Sequence, residues 1–274
     1  MSETNAVAAL GEEVGGKVNL LEQHGSLIGI ATDPAVAELT QGRIFVSDRD
    51  AVDMLRMRNS GCCPNLSRHG YRSIKRLFDI IFAGAALAVL LIPSAFLCLA
   101  ICLESPGASP IYTQYRVGRL KKDGSFRIFR MFKFRSMVPH AHGMVAHLQD
   151  KNEADGPLFK IKEDPRVTRI GKFIRRHSLD EMPQFINVFV GQMTLIGPRP
   201  PLPNEVVSYD EKTTQRLTIK PGCGGIWQTT LRSQGTFEDM VSMDLEYIEK
   251  CGVMEDLRLI VHTAQVVVTG RGAY

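Results

Sequence analysis

Residues 80–103 read IIFAGAALAVLLIPSAFLCLAICL, a run without Asp, Glu, Lys, Arg or His. As a helix, these roughly 24 residues at ~1.5 Å each reach about 36 Å. That exceeds the ~30 Å of a bilayer's hydrocarbon core. The run predicts a membrane helix and divides the chain into three parts. Residues 1–70 form an N-terminal extension, poorly ordered or weakly folded. Residues 71–104 form the membrane helix, and residues 105–274 form a cytosolic domain.

Pro93 and Ser94 lie in the middle of the run. A proline inside a helix removes one backbone hydrogen bond and clashes with the carbonyl four residues back, here that of Val89. A break at Pro93 and Ser94 would turn the chain back as a re-entrant hairpin. Spanning helices also tolerate proline, so an ordinary single crossing is the alternative. Charge favours the hairpin. Arg68, Arg72, Lys75 and Arg76 precede the run, and Arg116, Arg119, Lys121, Lys122, Arg127, Arg130, Lys133 and Arg135 follow it. Basic flanks mark the cytoplasmic side, and a hairpin keeps both flanks there, facing anionic headgroups.

The chain has 274 residues and a net charge of +4. No RNA-binding aromatic motif or DNA-reading helix stands out, so nucleic acid is not an expected partner. Cys62, Cys63, Cys98, Cys102, Cys223 and Cys251 lack zinc spacing, and their scatter fits a reduced cytosol. The first residues, MSETNAVAALGEEV, have no signal-peptide pattern. His140, His142 and His147 read as surface histidines, because no i, i+4 pair occurs among them.

Beyond the run, Ser105 to Pro110 is a turn cluster. The β-branched and aromatic segments around Asp123-Gly124 predict a β-hairpin. Phe237, Val241, Leu245 and Ile248 recur at helical spacing, as do Leu257, Ile260, Val261, Ala264 and Val268. They predict helices with core-facing stripes, one of which could instead lie flat on a membrane. The expected fold is α+β and mainly helical: a re-entrant membrane hairpin, then a cytosolic domain with a small β-hairpin.

The densest stretch for chemistry is DPRVTRIGKFIRRHSLDEMPQFINVFVGQMTLIGPRPP, residues 164–201. Asp180 and Glu181 stand behind Arg175 and Arg176, and Arg199 sits between prolines. Ser178 and Glu181 fit a capping box, although Pro183 moves the helix start towards Met182. Carboxylates beside arginines can be plain ion pairs. They also suit phosphoryl transfer: Asp as the nucleophile, with arginines and a divalent cation spreading the charge.

KRLFDIIFAGAAL, SPGASPIYTQYRVGR, FKFRSM, RVTRIGKFIRRHSLDEMPQ, MTLIGPRP, PGCGGIWQ and GRGAY occur in this order. Together they resemble the bacterial sugar transferases, the monotopic polyprenyl-phosphate phosphoglycosyl transferases that initiate exopolysaccharides. The resemblance runs from about Tyr71 to Tyr274. It implies that Asp180 attacks the β-phosphate of a UDP-sugar, UDP-galactose or UDP-glucose, with Glu181 as its partner carboxylate. It implies Mg²⁺ as cofactor, held at Asp180 and Glu181. The phosphosugar on Asp180 would pass to undecaprenyl phosphate. Arg175, Arg199, Lys133 and Arg135 match positions suited to substrate phosphate. The implied location is the bacterial inner membrane, with the catalytic domain facing the cytoplasm and a homodimer as one assembly. Ile92 stands where relatives usually carry Ser before the break proline. Gly224 and the Thr229–Leu231 stretch also depart from the family pattern. A non-catalytic membrane-anchored scaffold is the rival from another class, and a lipid-diphosphate pyrophosphatase is a third reading.

Overall fold

The computed structural model divides into two compact units, Met1–Ala51 and Val52–Tyr274. Residues 18–23, 26–31, 48–57, 60, 69–141, 143, 144, 146–153, 159, 161, 163–230 and 235–269 are described below. In the first unit, β1 (Val18–Gln23) pairs antiparallel with β2 (Ser26–Ala31). Helix α1 (Asp48–Met57) brings Leu55 into a core cluster with Val117, Leu120, Phe126, Val206, Tyr209 and Leu217. The second unit therefore begins well before residue 70, where the sequence placed the end of the extension.

Helix α2 (His69–Glu104) carries the apolar run. Its 18-residue window of mean hydropathy 2.7 is only 6% buried. Val89, Leu91, Ile92, Phe96 and Leu99 are all exposed. The helix continues through Pro93 and Ser94, where the sequence predicted a break. Proline costs the helix about 3 kcal/mol. Opening the backbone there would strand further N–H and C=O groups among apolar residues, at several kcal/mol each in lipid.

Both ends of α2 are bonded into the second unit. Near the start, Lys75 Nζ lies 2.7 Å from Asp256 Oδ2. Asp79 is buried, and its Oδ1 accepts from Thr194 Oγ1 at 2.9 Å and Leu195 N at 3.0 Å. Near the end, Glu104 accepts from Ile170 N at 3.1 Å, and Ile101 packs with Phe134 and Ile174.

The predicted hairpin is β3 (Ile111–Val117) antiparallel to β4 (Ile128–Phe134). Asp123 accepts from Ser125 in the connecting loop, at 3.0 Å from its N–H. Phe129 and Met131 of β4 enter a core cluster with Ala83, Val188, Met193 and Leu195, while Phe134 joins Ile101 and Ile174. Helix α3 (Arg169–Arg176) is capped by Thr168, whose hydroxyl accepts from Gly171 N at 2.9 Å. A 3₁₀ turn, Leu179–Glu181, leads to α4 (Gln184–Phe189). Strand β5 (Thr194–Ile196) precedes two short helices, α5 (Pro203–Val207) and α6 (Glu211–Thr214). Strand β6 (Gly222–Gly224) then runs parallel to β5. A Cβ on Gly222 would meet Gly197 N at 2.1 Å, so only glycine permits that approach.

Helices α7 (Ile226–Thr230), α8 (Phe237–Lys250) and α9 (Val253–Thr269) complete the chain. The two predicted stripes are rotated. In α8 the buried face is Met240, Val241, Asp244 and Tyr247, because Asp244 turns inward to Arg216. In α9 Asp256 turns inward to Lys75 and Tyr247. Leu257 and Val261, expected in the core, are exposed with Val253 and Met254.

Candidate active site

Three segments bring charge together. Lys133 comes from β4, near the end of its pairing with β3 where it opposes Tyr112. Asp180 and Glu181 come from the 3₁₀ turn. Arg175 comes from the last turn of α3. Lys133 Nζ lies 3.2 Å from Glu181 Oε1 and 3.7 Å from Asp180 Oδ2. The Asp180 side chain is 16% exposed and that of Glu181 47%. Asp180 is thus sheltered but reachable, and Glu181 is open to solvent.

The turn is not the expected capping box. Ser178 makes no capping bond and has φ +54°, in the left-handed region that costs a non-glycine residue about 1–3 kcal/mol. The helix after it starts at Gln184, behind Pro183. The strained residue therefore ends α3 and redirects the chain so that Asp180 and Glu181 face β4.

Burial pushes the Asp180 carboxyl above its ordinary range; Lys133 opposes this, Glu181 adds to it and Arg175 opposes it. Partial desolvation by the surrounding protein pushes Glu181 up, but Lys133, Arg199 and Arg116 outweigh it and hold Glu181 below the usual range. The two carboxyls are driven apart, as in sites where one carboxylate reacts and its neighbour holds charge. Burial lowers Arg175, and Asp180 and Asp164 oppose that. Its Nε donates to Ser136 Oγ at 2.9 Å. A Cβ on Gly171 would meet Ser136 O at 2.0 Å, so α3 can approach Ser136 only through glycine.

Arg199 lies in the Pro-flanked turn, with Nη1 3.5 Å from both oxygens of buried Glu205. Arg135 points elsewhere. Its Nε donates to Ser109 O at 2.7 Å and its guanidinium lies over Tyr112. β4 ends at Phe134, so Arg135 does not share the strand alternation that aims Lys133. Among the described residues, no group of three or more His, Cys, Asp or Glu converges. His140 is exposed; His142 and the His147 side chain lie outside the described residues.

Two groups near the pair escaped the sequence reading. Arg116 is buried, donates to Pro200 O at 2.9 Å, and lends its charge to Glu181. In the sequence it was one cation of a basic flank, and its position in the YTQYRVGR motif was the available signal. Cys223 is half-buried, and desolvation pushes its thiol far up, with Glu181 and Asp79 adding to the rise. Nothing in its spacing to other cysteines marked it. The assembled site is a sheltered carboxylate with an ammonium 3.7 Å away, the charge of Arg175 acting on it, and an exposed carboxylate next to it. It can receive a multiply charged phosphate and present an oxygen nucleophile to it.

A profile for bacterial sugar transferases matches residues 70–270. The chain is 39% identical over 207 residues to a galactosyl transferase, CpsE, of Streptococcus agalactiae, covering 75% of this chain and 44% of that protein. It is 35% identical over 232 residues to an undecaprenyl-phosphate galactose phosphotransferase of Salmonella typhimurium, covering 81% and 45%. An Aeromonas hydrophila UDP-N-acetylgalactosamine-undecaprenyl-phosphate N-acetylgalactosaminephosphotransferase is 34% identical over 212 residues, covering 74% and 45%. The chain spans less than half the length of these relatives.

Proposed function

This chain belongs to the bacterial sugar transferase family, and we propose that it moves a sugar-1-phosphate from a UDP-sugar to undecaprenyl phosphate, initiating an exopolysaccharide. The observation that carries this is the sheltered Asp180 beside Lys133 and under the charge of Arg175, in a unit bonded to both ends of an apolar helix.

In the first half of the reaction an Asp180 carboxylate oxygen forms a bond to the β-phosphorus. The bond from that phosphorus to the bridging oxygen breaks, and its electron pair leaves with UMP. A mixed anhydride, sugar phosphate on Asp180, remains. In the second half an oxygen of undecaprenyl phosphate bonds to the same phosphorus, and Asp180 departs as a carboxylate. Lys133 and Arg175 stabilise charge at Asp180, and Arg199 and Arg116 do so on the Glu181 side. The relatives' names specify galactose and N-acetylgalactosamine. UDP-galactose is the proposed donor and UDP-glucose its alternative.

Mg²⁺ belongs to the proposal. The described residues offer no cage of three acidic, His or Cys ligands. Mg²⁺ typically binds through one or two carboxylates plus substrate phosphates, a donor set that Asp180 and Glu181 match. When bound, it would neutralise charge on the diphosphate.

The bonds of α2 support a placement of the protein on one side of a membrane. Asp79 and Glu104 would lie about 37 Å apart along a straight helix, yet one folded unit holds both. A simple crossing would put them in opposite aqueous phases. The proposed placement keeps both ends on one face, the cytoplasmic face of the inner membrane, with the apolar middle bent at Pro93 and dipping into lipid. In spheroplasts, single-cysteine proteins keeping Cys62, or carrying Lys250→Cys, should both resist an impermeant maleimide until the membrane is opened. Labelling of Cys62 alone from outside would overturn the placement.

The activity is tested by incubating the protein with each UDP-sugar, Mg²⁺ and undecaprenyl phosphate and measuring UMP. Release is expected with one class of donor. UMP from none of them would refute the assignment.

A further inference from the structure

β3 covers one edge of β4. Along the other edge no strand pairs with β4 among the described residues. One side chain of α4 takes that strand's place. Phe132 N–H donates to Asn187 Oδ1 at 3.0 Å, and Asn187 Nδ2 donates to Arg130 O at 2.7 Å. A neighbouring strand would offer the same donor and acceptor. The second Nδ2 hydrogen goes to Gln192 Oε1 at 2.7 Å. Asn187 is 0% exposed, so its amide has no water to fall back on, and every polar atom is used.

This amide joins two pieces of the site. Lys133 follows Phe132 in β4, and α4 follows directly from the turn that carries Asp180 and Glu181. Besides the packing around it, Asn187 is the side-chain tie between the strand of the ammonium and the helix behind the carboxylates. Ion pairing alone holds a flexible lysine loosely, because its stem has four rotatable carbons. A strand fixed at Phe132 sets where that stem begins.

We propose that Asn187 is a positioning residue for the transfer reaction, holding β4 so that the Lys133 ammonium meets Asp180 and Glu181. The proposal rests on Asp180 being the nucleophile. Its consequence is visible in the rate of the bond-forming step. Lys133 Nζ lies 3.2 Å from Glu181 Oε1 and 3.7 Å from Asp180 Oδ2. A β4 released at Phe132 lets the ammonium leave both carboxylates, and the charge it brings to the reacting phosphate is lost.

The test is the rate constant of the first UMP burst at saturating donor, normalised to the active fraction, for the full chain with UDP-sugar and Mg²⁺. Lys133→Met should lower it. Asn187→Ala should lower it too, by at least half as much on a logarithmic scale. The double variant should be no slower than Lys133→Met alone, since coupled residues are non-additive. Gln192→Ala, which spares both β4 bonds, should keep the wild-type rate constant. A merely structural role would lower the burst amplitude and the melting temperature and leave the rate constant in place, which would overturn the proposal; so would a fully additive double variant. Asn187→Ser, small enough to admit water, is judged by the same criterion. Failure of both Asn187 variants to fold would assign the residue to the fold alone. A wild-type protein that releases no UMP would instead defeat the transferase reading, and this proposal with it.

Discussion

Asp180→Asn is expected to abolish UMP release, with a loss of at least about 10³-fold, or about 4 kcal/mol of barrier. The amide keeps the size of the side chain but has no anionic oxygen to bond phosphorus. It also removes the charge that Lys133 meets at 3.7 Å, so the ammonium stays with Glu181. Glu181→Gln should behave differently. Glu181 is the exposed member of the pair, and its loss should slow the burst without preventing one UMP per site. Burst kinetics of both variants measure this. Asp180→Asn with wild-type bursts would remove the nucleophile from the account.

The second large effect concerns stability. Arg216 and Asp244 form a buried pair, 1% and 2% exposed, with Nη2 to Oδ2 at 2.5 Å. Arg216 Nε donates to the same oxygen at 2.8 Å, and Nη1 donates to Tyr209 Oη at 2.9 Å. Burial pushes Asp244 up while Arg216 opposes it. Asp244→Leu leaves the guanidinium buried without its counter-charge, which costs about 3–5 kcal/mol. For a domain of this size that corresponds to a fall in Tm of about 6–20 °C. The double change Arg216→Met with Asp244→Leu removes both charges and should cost far less. Thermal unfolding of the two proteins decides it, and equal losses would mean that packing, rather than the unpaired charge, is what matters. The pair also bears on the site, because Arg216 Nη2 reaches Arg199 O at 3.5 Å and so braces the turn that carries Arg199.

Some of this was legible in the residues alone. Composition announced the apolar helix, because a charge-free run of that length suits a bilayer's hydrocarbon core. Asp123-Gly124 announced the β3–β4 hairpin through turn chemistry that depends on few neighbours. The carboxylate pair became legible through motif order, since Asp-Glu alone carries no chemistry. Other features depend on partners far along the chain. Asp244 and Asp256 face inward because Arg216 and Lys75 await them, and each turns its helix away from the face that apolar periodicity indicated. β5 and β6 have only three residues each, too few to show a period of two. Arg135 shares a motif with Lys133 but follows the end of the strand and bonds to Ser109 O. Nothing in the sequence singles out Asn187; only β4 beside it reveals what it holds.

The most direct measurement is of the bond itself. The protein is mixed with UDP-galactose, and in parallel UDP-glucose, with Mg²⁺ and no lipid acceptor, then quenched and digested, and the peptide containing Asp180 is weighed. One equivalent of UMP should appear, with a hexose phosphate on Asp180 that added undecaprenyl phosphate discharges. UMP that forms only once the acceptor is present, with Asp180 unmodified at every time, would contradict a transfer that passes through the enzyme.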